Sequence, residues 1–384
     1  MSKGRISVDR YRERLARAQE ATGQAGVGAL LIGVGTDLRW LVGYEAMPLE
    51  RLTMLVVPPS GTPTLVAPRL EQSAALAAPG VGAGLVQLST WMETEDPFGN
   101  VVTALGSHDL RNAHFLVSDS LRAAFLLKLQ AALPKARFDI ASTVISPLRQ
   151  VKDAEEIELL REAALAADRT VARIFAGRLI GRTEADVATD VREFLLEEGH
   201  DWADFAIVAS GPNSASPHHG AGDRVIQAGE PIVLDIGGSI EGYHSDITRT
   251  CWVTGGKEKP DAEFRRLFDV LFAAQGAGRA AVRPGVPAET IDAAARGVIE
   301  AAGYGEAFFH RTGHGIGLDG HEDPYLVAGN GAPLAVGNAF SVEPGIYLEG
   351  RYGARIEDIV VCGPAGVDDL NQAPRELAVV GGLG

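Results

Sequence analysis

Residues 181–199 and 285–303, GRTEADVATDVREFLLEEG and GVPAETIDAAARGVIEAAG, are two versions of one segment at an offset of 104. Both begin and end in glycine, carry an acid near the start and space their apolar residues helically between. GEPIVLDIGGSIEG (229–242) aligns in turn with GNAFSVEPGIYLEG (337–350) at an offset of 108. Each copy reads as a helix pair followed by a strand–turn–strand unit, and a helix and hairpin repeated in register indicate an internal duplication. Two such halves with their sheets packed together predict one continuous core and a cleft on a pseudo-twofold axis.

The chain ahead of the duplication reads differently. A helix over 8–25 precedes the buried strands GALLIGV (28–34), RLTMLVVP (51–58) and TLVAP, then helical LEQSAALAA, strand FLVSD (115–119) and helical LRAAFLLKLQAAL. Alternating strands and helices predict an α/β domain over 1–148. Pro147 breaks the pattern, and a long helix with acids in its first turn opens a second, α+β domain over 149–384. A formal charge of −15 argues against nucleic acid and anionic membranes as partners. The charged start MSKGRISVDRYRERLARAQE does not read as a signal peptide, and no apolar run is long enough to span a membrane. Two cysteines, Cys251 and Cys362, make no disulfide framework, as expected of a cytoplasmic protein.

Within the duplicated hairpins, acids interrupt apolar runs: Asp235 in PIVLDIGG and Asp246 in HSDITRT, then Glu343 in AFSVEPG and Glu357 in ARIEDIV. Separately, such acids are edge-strand charges paired with arginine. Together, two per half, four buried carboxylates require cations or protons, since one unpaired buried carboxylate costs several kcal/mol. Gly237, Gly238 and Gly242, with Gly345 and Gly350, are expected to form turns that fold each acid pair back on itself. Six of the nine histidines lie between His218 and His321, so the chemistry belongs to the second domain. Oxygen donors plus one imidazole suit Mn²⁺, Co²⁺, Fe²⁺ or Zn²⁺, and two divalent ions would neutralise the four acids. His314, in TGHGIG, is then the fifth ligand, with the flanking glycines giving the metal room.

The stretches NSASPHHG, LDIGGSIEGYHSDITRT, HRTGHGIGLDGHE, SVEPGIY and ARIEDIV resemble the dinuclear pita-bread metallopeptidases of family M24, which include methionine aminopeptidase, aminopeptidase P and prolidase. The resemblance implies that Asp235, Asp246, His314, Glu343 and Glu357 ligate two metals, manganese before cobalt or zinc, with Asp246 and Glu357 bridging. It also implies that His218, His310 and His321 are catalytic or substrate-binding, and that Arg355 supports the site as in the proline-specific members. The α/β domain points away from methionine aminopeptidase and towards prolidase and aminopeptidase P. Two departures stand out: Gly320 precedes His321 where valine is commoner, and Tyr325 stands where some prolidases carry an arginine for the substrate carboxylate. Arg51, across a dimer interface, is a candidate replacement; its other reading is a surface arginine paired with Glu50 or Glu45.

The resemblance implies a cytoplasmic, homodimeric Xaa-Pro dipeptidase acting through a metal-bridging hydroxide, with Glu343 as proton acceptor, His218 and His321 at the carbonyl and His310 on the imino-acid side. An Xaa–Pro amide has no N–H, which favours a dedicated enzyme, and the trans isomer predominates. The alternative is an aminopeptidase P working on longer peptides. A metal-free binding protein of the same fold is disfavoured because all five ligand positions are filled. His219 and His244 read as incidental, and His108, His114 and His200 as surface residues.

Overall fold

A computed structural model describes residues 6–106 and 113–383, so His108 lies outside the described residues. The chain divides into two units, Met1–Arg149 and Gln150–Gly384.

The first unit is built on a six-stranded mixed sheet in the order Gln87–Trp91, Thr64–Pro68, Met54–Val57, Ala29–Gly33, His114–Val117, Arg137–Ile140. The inner strands are uninterrupted apolar runs because both faces are covered. Leu31, Met54, Val56, Val66 and Phe115 pack with Phe98, Val101 and Leu129 of two helices. Pro147 does not break the pattern where expected. It sits inside the short helix Ser142–Arg149, and the break follows Arg149, whose guanidinium Nη1 donates to Asp37 at 2.7 Å.

The second unit carries the duplication. Helix Ala154–Ala176 starts at a capping box formed by Asp153 and Glu156, and helix Glu184–Glu197 at one formed by Thr183 and Asp186. Helices Ala262–Ala281 and Ala288–Ala301 are their counterparts. Strand Glu230–Ile240 lies antiparallel between Trp202–Ser210 and Ile247–Val253. Strand Ala339–Val342 lies likewise between Gly313–Gly315 and Asp358–Gly363. The duplication extends to single dihedrals. Gly181 and Gly285, Gly199 and Gly303, Gly229 and Gly337, and Gly242 and Gly350 all have positive φ, between 72° and 116°. Each pair marks the same turn in both halves, where a side chain would be strained.

The halves then diverge. Glu230–Ile240 runs unbroken, whereas its counterpart splits into Ala339–Val342 and Gly345–Leu348. Pro344 lies at the split and has no N–H for a ladder, and the second segment leaves the sheet to pair with Tyr352–Arg355. The expected single core is also corrected. Buried apolar residues form separate clusters, one between the first helix pair and its sheet, one around Val282, Ile291, Phe340 and Val360, and one around Trp252, Phe264 and Phe268. Among the described residues no helix is long and apolar enough to cross a membrane.

Candidate metal centre

Five side chains converge from five points of the second unit. Asp235 lies within Glu230–Ile240 and Asp246 just before Ile247–Val253, Glu343 follows Ala339–Val342, Glu357 precedes Asp358–Gly363, and His314 is the middle of Gly313–Gly315. Ligand atoms of Asp235, Asp246 and Glu357 lie within 4.8 Å of one another, as do those of His314, Glu343 and Glu357, and of Asp246, His314 and His321. Asp246, His314 and Glu357 each belong to two of these groups. His314 Nδ1 faces the Gly315 carbonyl at 3.0 Å, which leaves Nε2 directed at Glu343 and Asp246, at 3.3 and 3.7 Å.

Burial, reinforced by Glu357, Asp235 and Glu343, raises Asp246 well above the ordinary carboxyl range. Burial followed by Glu343 and Asp235 does the same to Glu357, and burial pushes Glu343 up to about 7. Burial with the neighbouring His321 lowers His314 to about 3, so its imidazole is neutral and available as a ligand. Two carboxylate oxygens, Asp235 Oδ1 and Glu357 Oε1, are buried without a hydrogen-bond partner. An orphaned buried carboxylate oxygen is costly, and a cation shared between them removes the cost. The donor set therefore fits divalent metal, with oxygen ligands and one nitrogen.

A second layer orients these candidate ligands. Arg355 Nη2 donates to Asp235 Oδ2 at 2.5 Å, Nη1 to the Tyr347 hydroxyl at 2.9 Å and Nε to Thr248 at 3.0 Å. The Thr248 hydroxyl in turn donates to Glu357 Oε2 at 2.6 Å. Ser341 donates to Glu343 Oε1 at 3.0 Å and accepts from the His314 amide. Thr248 and Ser341 were missed in the sequence, although each sits two residues from a candidate ligand acid.

The glycines act otherwise than expected. A Cβ on Gly313 would lie 2.0 Å from the Ser341 carbonyl, and one on Gly315 2.2 Å from that of Asp323. These glycines make room for neighbouring backbone, not for a metal. Gly237 and Gly238 lie within Glu230–Ile240 rather than in a turn. A Cβ on Gly237 would meet Phe205 and the Ser245 carbonyl at 2.4 Å.

The five residues open into a cavity of about 800 Å³ also lined by His218, His310 and His321. His310 Nε2 meets the Tyr347 hydroxyl at 3.1 Å, and its ring stands edge-on to Phe308 and Phe309. His321 stacks on His314 with ring centroids 3.7 Å apart, and its Nδ1 accepts from Arg311 Nη2 at 3.1 Å. His321 Nε2 therefore keeps its proton. The loop carrying His218 hangs from Glu184, a fully buried carboxylate that accepts from Ser210, Asn213 and His219. In the other half buried Asp292 accepts from Thr312 and binds Arg296, which holds the His310 carbonyl. His219 is thus a structural partner, not incidental. His200 is corrected outright: it is buried against Ser245, at 2.9 Å. His244 lines the cavity and pairs with Asp204 at 2.7 Å. Arg51 belongs to the first unit, where Glu50 and Glu93 both bind it, while Glu45 pairs with Arg39.

Residues 158–364 match the family model described as Metallopeptidase family M24, and residues 14–151 that of the Creatinase/Prolidase N-terminal domain. The chain is 46% identical over 381 residues to a probable dipeptidase PepE of Mycobacterium tuberculosis, covering 99% of each. It is similar to the crystal structure of dipeptidase PepE from Mycobacterium ulcerans, with a TM-score of 0.92, 48% identity, and 98% and 100% of the two chains covered. A prolidase from Thermococcus sibiricus aligns with a TM-score of 0.88 and 35% identity, covering 96% of this chain and 99% of that one.

Proposed function

The chain belongs to metallopeptidase family M24, and on that premise we propose that it is a dinuclear metal-dependent dipeptidase cleaving Xaa-Pro substrates. The observation that carries this reading is the pair of orphaned buried oxygens, on Asp235 and Glu357, among overlapping groups of acids and histidines that could hold metal. The relatives named dipeptidase and prolidase support the choice of substrate. Asp235, Asp246, His314, Glu343 and Glu357 would hold two cations, with Asp246 and Glu357 between them. When bound, such ions supply a nucleophile from water at neutral pH and polarise a carbonyl; the oxygen-rich donor set favours Mn²⁺.

The remaining chemistry falls to the chain. Asp235 and its neighbours attract the substrate's free ammonium group, which confines cleavage to the first peptide bond. His321 offers its Nε2–H to the carbonyl oxygen as that oxygen gains charge, and His218 faces the same space. Glu343, beside the space where the carbonyl would lie, accepts a proton from the attacking water. The carbonyl carbon gains a C–O bond, the C–N bond breaks, and the proton passes to the departing proline nitrogen. His310, set between aromatic rings, meets the imino-acid side, where a tertiary amide demands no acceptor for an N–H.

The test is hydrolysis of Ala-Pro and Ala-Pro-Ala by metal-stripped protein reloaded with Mn²⁺, Co²⁺ or Zn²⁺. Metal-dependent cleavage of Ala-Pro, with Ala-Pro-Ala resistant, is the expected result. Equal cleavage of the tripeptide identifies an aminopeptidase P instead, and no cleavage of either removes the proline assignment.

A further inference from the structure

We propose that Arg311 receives the substrate's C-terminal carboxylate and so restricts cleavage to dipeptides, an inference that rests on the peptidase reading above. Two arginines line the cavity. Arg355 is buried and committed to Asp235. Arg311 is partly exposed, and no carboxylate lies within 4.0 Å of it among the described residues. Its guanidinium is instead spread over the Tyr325 ring, 4.4 Å from the centroid, with Nη2 on His321. The ring supports the guanidinium from one side, and because no carboxylate lies within 4.0 Å among the described residues, its other N–H groups suit bidentate capture of a carboxylate.

Position sets the length of the substrate. Arg311 touches His321 at 3.1 Å, and His321 stacks at 3.7 Å on the ligand His314. Two extended residues span at most about 7 Å, so a dipeptide with its ammonium group among the acids brings its carboxylate to Arg311. A third residue would put a neutral amide there and carry its own carboxylate past the guanidinium. Tyr325, which replaces the arginine expected after the HE-x-P stretch, thereby keeps a role: it is the platform on which Arg311 lies.

The test compares wild type, R311M and R311K as metal-loaded holoenzymes on Ala-Pro and Ala-Pro-amide, and on Ala-Ala and Ala-Ala-amide. Wild type is expected to favour the free acids by about tenfold or more in kcat/KM. In R311M the KM for the free acids should rise about tenfold or more, with the amides unaffected, so that the preference disappears. R311K should recover part of it, since lysine keeps the charge and loses the fork. Titration of L-proline and L-prolinamide into the same holoenzymes supplies a readout without turnover, with proline's advantage lost in R311M. Equal losses on acids and amides would show that Arg311 acts through His321, and wild-type indifference to amidation would also overturn the proposal. If only the alanyl-alanine pair is cleaved and still discriminated through Arg311, the proline assignment fails while this inference stands.

Discussion

Asp235 and Arg355 form a buried ion pair, with the guanidinium Nη2 donating to Oδ2 at 2.5 Å, and they come from opposite halves of the duplication. Arg355 reaches Thr248 and Tyr347 from the same guanidinium, so one cation ties Asp235, and through Thr248 also Glu357, to the hydroxyl that meets His310. Arg355→Met removes the only arginine hydrogen-bonded to the carboxylates of this cluster among the described residues. The metal-free variant is expected to lose about 3–5 kcal/mol of stability, the cost of breaking a buried pair, and to recover much of it on metal loading. Chemical denaturation of both forms, with and without Mn²⁺, checks this. An equal loss in the two forms would contradict it.

Asp235→Asn keeps the side-chain volume and removes a charged ligand. Bound metal after dialysis should fall from about two ions per chain to about one, with an unchanged circular dichroism spectrum and kcat lowered by roughly a thousandfold. Metal analysis that still finds the wild-type stoichiometry would remove Asp235 from the ligand set.

The pH dependence of the metal-free protein has a definite sign. Acids raised by burial, such as Asp246, Glu357 and Glu343, stabilise the folded state below their unfolded values. That contribution is lost as pH rises through the folded ones. His314, lowered by burial and His321 to about 3, and His310, lowered by burial to about 4, penalise the folded state only below their ordinary value of 6.5. Above pH 6.5 the acids alone govern the slope. Urea melts of the metal-free protein should therefore show falling stability from pH 6.5 to 8.5, by up to about 1.4 kcal/mol per pH unit for each proton released. Metal affinity should rise over the same range, because the ligands bind deprotonated.

Glu184 carries the loop of His218 although it touches no ligand. Glu184→Gln replaces one acceptor oxygen by a donor that faces other donors. A loss of about 2–4 kcal/mol in stability is expected. Activity should fall through kcat, and faster hydrogen exchange should be confined to residues 211–222. Uniformly faster exchange across the second unit would make Glu184 a core residue only.

The duplication and the convergence of the four acids could be read from the chain because both follow from local rules. Glycines at positive φ recur at fixed offsets, and a carboxylate inside a run such as PIVLDIGG has no business in a sheet core unless something neutralises it. Thr248 and Ser341, each two residues from such an acid, lay within reach of the same reasoning. The strand break at Pro344 was also written in the residues, as a missing donor.

Other features depended on which distant segments meet. The glycines around His314 serve neighbouring backbone 2.0–2.2 Å from a would-be Cβ, a contact set by strand pairing and invisible along the chain. His200 and His219 looked alike as lone polar residues, yet one packs against Ser245 and the other against Glu184. Arg311 shows the difference most plainly. Its sequence neighbours mark it only as a residue beside a histidine motif; its meaning comes from Tyr325 below it, His321 beside it and the lack of a carboxylate within 4.0 Å among the described residues. Periodicity and residue chemistry act over a few positions and survive in the sequence, whereas the pairing of a charge is a property of three-dimensional neighbours that the order of residues does not encode locally.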